Sequence, residues 1–127
     1  DTRESYAQNT YNVRSARHTY EAALYEYKMA VQNFEMNFRN AFDSVKDYSQ
    51  VLRSAQTSLA FQESSYASME MKYRQGTISH NALLEAEDAL NESKETVETA
   101  RRNLFTAYRT YYWAVNYGVT SSGQTGT

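Results

Sequence analysis

From Leu24 onward the apolar positions recur in alternating steps of three and four. One row reads Leu24, Val31, Phe38, Val45, Leu52, Leu59, Tyr66 and Tyr73. The other, three residues on, reads Tyr27, Phe34, Ala41, Tyr48, Ala55, Gln62 and Met69. A heptad held this long predicts a left-handed coiled coil. The pattern weakens upstream but continues through Tyr20, Ala16 and Val13, which sets the expected start of the helix within the first ten residues. Beside the seam runs a third row, Ala16, Ala23, Ala30, Asn37, Ser44, Val51, Ser58 and Ser65, nearly all of it small. Small residues on the flank of a seam let a further helix come close, so this helix is built to touch more than one neighbour.

The heptad resumes downstream as Leu83, Leu90, Val97, Leu104 and Tyr111, each followed three residues later by Ala86, Ser93, Ala100, Ala107 and Ala114. Large residues alternating with small ones suit interdigitation with another helix. The two patterns are separated by Gly76, the first glycine of a chain that has no proline. Glycine enters the left-handed region without a Cβ penalty and so suits the position just past a helix end. Ser79 can then cap the second helix, which places Ile78 and Leu83 as a hydrophobic staple. The expected fold is all-α: a long antiparallel helical hairpin with a helix over about 8–75, a tip at 75–79 and a helix over about 80–117. Gly118 is the expected C-cap of the second helix, and residues 119–127 read as a flexible tail.

The arms are unequal. At 1.5 Å per residue the first spans roughly 105 Å and the second roughly 57 Å. Folding about Gly76 brings the segment holding Tyr108, Tyr111, Tyr112 and Tyr117 beside Phe34, Phe38 and Phe42. Roughly the first 30 residues are then left without a partner in the same chain, and a two-helix hairpin is marginal on its own.

Composition narrows the chemistry. With 127 residues, 41% of them hydrophobic, the chain is at most one domain and not a disordered polymer. A net charge of -2, its acids and bases interspersed, argues against nucleic-acid binding. No apolar run reaches the ~18 residues of a membrane span. The start at Asp1 without methionine suggests a processed or excised piece. The absence of cysteine excludes disulfides and thiolate metal sites. His18 and His80 lie in different parts of the hairpin, so no metal pair and no cofactor is expected. Glu85, Glu87, Asp88, Glu92, Glu95 and Glu98 follow a helix surface with no nucleophile beside them, so no catalysis is expected. They form either a solvated face or the acidic lining of a cation-favouring tunnel. The twelve tyrosines read mainly as coiled-coil core.

The run Tyr73, Arg74, Gln75, Gly76, Thr77, Ile78, Ser79, followed by Leu83, Leu84, Ala86, Leu90, Ala100, Leu104 and Ala107, resembles the outer-membrane efflux proteins, the TolC-like channels. Upstream, Arg39, Phe42, Val45, Tyr48, Leu52, Ala55 and Leu59 fall where that family has its long-helix pattern, and the resemblance covers nearly all of residues 1–118. It implies one periplasmic hairpin of a channel in which three protomers, with two hairpins each, close an α-barrel tunnel of twelve helices. The overhang would normally be covered by another short helix stacked beyond the second arm. The tip residues Tyr73, Arg74, Gln75, Gly76, Thr77, Ile78 and Ser79 would meet the hairpin tip of a periplasmic adaptor, or membrane fusion protein, of a tripartite pump. The segment itself would make no membrane contact. Two positions depart from the family pattern: Ala82 stands where an aspartate is common, so no carboxylate gate is carried over, and Thr77 stands where many relatives have leucine. The competing reading is a generic coiled-coil scaffold or secretion-apparatus protein that shares only the heptads.

Overall fold

A computed structural model describes residues 1–117, all but Asp1 and the tip lying in two helices. Helix α1 spans Thr2–Arg74 and α2 spans His80–Tyr117, and the two pack against each other along the length of α2. The expected Gly118 cap and the 119–127 tail lie outside the described residues.

Helix α1 begins at Thr2, ahead of the start near residue 8 that the fading heptad suggested. In its first turn the Asp1 carboxylate accepts from the Arg3 backbone N–H at 3.4 Å, and the Asp1 carbonyl accepts from that of Ser5 at 3.1 Å. A capped first turn needs no apolar stripe to be helical. Threonine, an indifferent helix former, is accommodated along both helices in one way. The hydroxyls of Thr10, Thr19, Thr57, Thr96 and Thr106 each donate to the carbonyl four residues back, at 3.0–3.1 Å.

The register follows the heptad. Phe38 meets Tyr111 with ring centroids 5.7 Å apart, and Leu52 and Leu59 pack on a cluster of Ala55, Val97 and Ala100. Phe42 and Tyr108 close on Tyr111 as well, each at 6.2 Å, so the aromatic group expected at the end of the short arm is present. Phe34, at its edge, is 43% exposed.

The buried core is small in both senses. It consists of Ala41, Ala55, Val97, Ala100, Ala107 and Ala114. On α2 the alanines recur every seven residues, so they mark the line where the two backbones come closest. The large seam residues Val45, Leu52, Leu59, Leu90 and Leu104 straddle that line and are only half-buried. The tyrosines correct the expectation of a tyrosine core. Tyr66 and Tyr111 are half-buried, and the other ten are exposed. Two helices cover one stripe of each other, and a ring on the shoulder of that stripe keeps one face in water.

Candidate functional site

The tip is where the chain reverses, and its geometry is closed by hydrogen bonds. Gln75 caps α1 in a right-handed conformation (φ -78°, ψ -7°) and Gly76 enters the left-handed region at φ 75°. The Thr77 N–H donates to the Lys72 carbonyl at 3.0 Å, and the Gly76 N–H donates to that of Tyr73 at 2.9 Å. These two crossed bonds form a Schellman motif, with glycine at the position where a Cβ would be strained. Thr77 adds a bond of its own, its hydroxyl donating to the same Lys72 carbonyl at 3.0 Å. That gives the threonine a structural role that no spacing rule predicts. Ser79 then caps α2: its hydroxyl accepts from the Ala82 N–H at 3.1 Å and its carbonyl from the Leu83 N–H at 3.3 Å.

Of the seven sequence-predicted tip residues, Ile78 is half-buried and the other six are exposed. Tyr73, 40% exposed, packs across the turn on His80, with centroids 5.7 Å apart. His80 is therefore exposed but held, rather than simply solvent-facing. Arg74 turns back along α1 to Glu70, at 2.8 Å, in an ion pair open to water. A Cβ built on Gly76 meets nothing within 4 Å, so the space above the turn is open and only the backbone conformation resists a side chain there. The tip is thus a hydrogen-bonded turn with open approach. Several donors and acceptors at its surface are used to hold the turn.

Two of the grooves along the seam stand out. One, of about 820 Å³, is lined by small and polar residues such as Ser54, Ser58, Ser93, Thr96 and Glu92. The other, of about 590 Å³, is lined by Leu52, Leu104, Phe105, Tyr108, Tyr112 and Trp113, together with Arg101 and Arg109. Sequence reasoning missed this second one. Its signal is a second apolar row on α2, Phe105, Tyr108 and Tyr112, offset by one residue from Leu104, Ala107 and Tyr111. Both grooves are open troughs. Among the described residues no three His, Cys, Asp or Glu converge as a metal site would need, and no helix is long and apolar enough to cross a membrane. His18 and His80 are separated by most of the length of α1.

No family model matches the chain, and no curated protein or solved structure is found to match it.

Proposed function

We propose that the chain is one α-helical tunnel hairpin of a TolC-like outer-membrane channel, in the periplasmic part of a tripartite efflux or secretion system. In this reading it performs no catalysis. It supplies two staves of a trimeric tunnel and presents Tyr73, Arg74, Gln75, Gly76, Thr77, Ile78 and Ser79 to a periplasmic adaptor. The observation that carries the reading is the incompleteness of the hairpin: one stripe per helix is covered, both flanks and the whole overhang are open, and the buried residues are five alanines and a valine. A closed ring of helices needs staves with this property, because each helix must touch a neighbour on either side. The resemblance of the tip sequence selects the channel from among the possible helical assemblies.

One observation favours the plainer reading of a coiled-coil scaffold. Thr77 and Ser79 spend their hydroxyls on the turn, and Arg74 is paired within its own helix. A tip that only reverses the chain needs no more than this. The two readings part at Gly76. Gly76→Asp and Arg74→Ala, placed in the full-length protein, are expected to weaken adaptor binding and export while expression and oligomerisation stay intact. Gly76→Asn is a useful third variant, because asparagine tolerates the left-handed conformation and isolates the effect of filling the space above the turn. If all three assemble, bind the adaptor and export like the parent protein, the tip is a structural turn and the channel reading fails.

A further inference from the structure

The two outer edges of the hairpin are unlike. In the heptad, Asp43 on α1 and Arg102 and Arg109 on α2 stand farthest from the seam, and Asp47 stands next to that position. All four are exposed, and among the described residues none of them belongs to an ion pair. Phe38 packs on Tyr111, so stepping residue for residue in the antiparallel sense puts Asp47 level with Arg102 and Asp43 within one turn of Arg109. The two acids and the two bases therefore lie at the same height on opposite sides of the molecule, out of each other's reach. Shape differs in the same sense as charge. Beside the arginines α2 carries Phe105 and Tyr112, 64% and 56% exposed. Beside the acids α1 carries only the smaller Asn40, Ser44 and Ser54.

We propose that these edges are complementary: α2 of one hairpin packs along the small, acidic edge of α1 in a second copy, with both tips level and pointing the same way. The contact lies inside the paired part of the hairpin, leaves the overhang and the tip untouched, and does not rest on the channel reading. In this register Arg102 meets the second copy's Asp47 and Arg109 its Asp43. Phe105 and Tyr112 lie over its Ser44 and Asn40, large side chains on small ones. Charge fixes which side of α1 is used. The other side of its edge carries Arg39, Lys46 and Arg53 at seven-residue spacing, which would set cations against Arg102 and Arg109. Charge fixes the direction as well. With tips level, the acidic half of α2, from Asp88 to Glu98, passes Ser54, Thr57 and Ser58 of the second copy, a stretch of that edge without a carboxylate. Turning the copy end for end while keeping the same arginines on the same acids would instead bring Glu26 against Glu85 and Asp88. Because one edge meets the other, the contact is heterologous and repeats from copy to copy.

Sedimentation velocity of the whole chain over a range of concentrations reads the contact. The parent chain is expected to associate as concentration rises. Asp47→Arg and Arg102→Asp are each expected to weaken that association on the order of tenfold, because each sets like charges face to face. The double variant, and an equal mixture of the two single variants, are expected to recover it, since both restore opposite charges across every contact. A parent chain that is monomeric at every concentration would overturn the proposal, as would single reversals without effect or a double variant that fails to recover. The absence of cysteine makes the direction readable by cross-linking. Asn40→Cys and Tyr112→Cys, made separately, leave all four charges in place. Oxidised together they are expected to give a disulfide joining one variant to the other, with little cross-linking of either variant alone. Cross-linking of Asn40→Cys to itself, or a mixture that links no better than the single variants, would contradict the level, tip-to-tip arrangement.

Discussion

The two halves of α1 carry the same heptad and meet different fates. Between Phe38 and Tyr73 the seam lies under α2, Ala41 and Ala55 are buried and Leu52 and Leu59 are half-buried. Between Thr2 and about residue 32 the helix is as regular, yet every residue in it is exposed. An apolar stripe is thus a capacity for burial rather than a contact. What decides whether it is used is the length of the arm that folds back, which Gly76 and the end of α2 set.

The comparison breaks or sharpens through paired substitutions, measured by denaturant unfolding at concentrations where the chain is monomeric. The largest difference is expected for leucine truncation. Leu52→Ala removes a side chain packed on Ala55, Val97 and Ala100 and is expected to cost about 2 kcal/mol, the low end for core leucines because Leu52 is half-buried. Leu24→Ala, in the same heptad row but beyond α2, is expected to change stability by less than about 0.5 kcal/mol. Equal effects would mean that the overhang is covered within one chain. Next comes overpacking. Ala100→Leu forces a large side chain into the line of closest approach and is expected to destabilise by about 1–3 kcal/mol. Ala30→Leu, on the open flank, is expected to be near neutral or slightly stabilising. The smallest effect belongs to the tip: Gly76→Ala is expected to cost about 1 kcal/mol, because only the left-handed backbone, and no neighbouring atom, opposes a Cβ. A loss of several kcal/mol there would mean that the turn is packed against something.

Much of this fold is legible from the pattern alone. The step of three and four names the seam, and Gly76 followed by Ser79 names the turn, because few residues can occupy a left-handed cap or bind an orphan N–H. The same rules miss three things for identifiable reasons. The helix is already formed at Thr2, upstream of the point where the apolar rows fade, because an exposed helix can carry on without a periodic stripe. The exposure of ten tyrosines depends on how many helices share the seam, and a heptad does not count its partners. The role of Thr77 arises from one hydroxyl reaching back five residues, a bond specific to the path of this turn. The candidate site was legible as a position and less so as a chemistry. The residues of the tip are where the spacing placed them, but their polar groups are more engaged with one another than their types suggest.

Amide hydrogen exchange resolved along α1 tests the contrast most directly. In a dilute monomeric sample, protection should be high across the stretch that holds Ala41, Ala55 and Leu59. It should fall toward that of an isolated helix upstream of about residue 32, where no second helix restrains local opening. Protection that is uniform from Thr2 to Arg74 in the dilute monomer would contradict the division of α1 into a covered and an uncovered half.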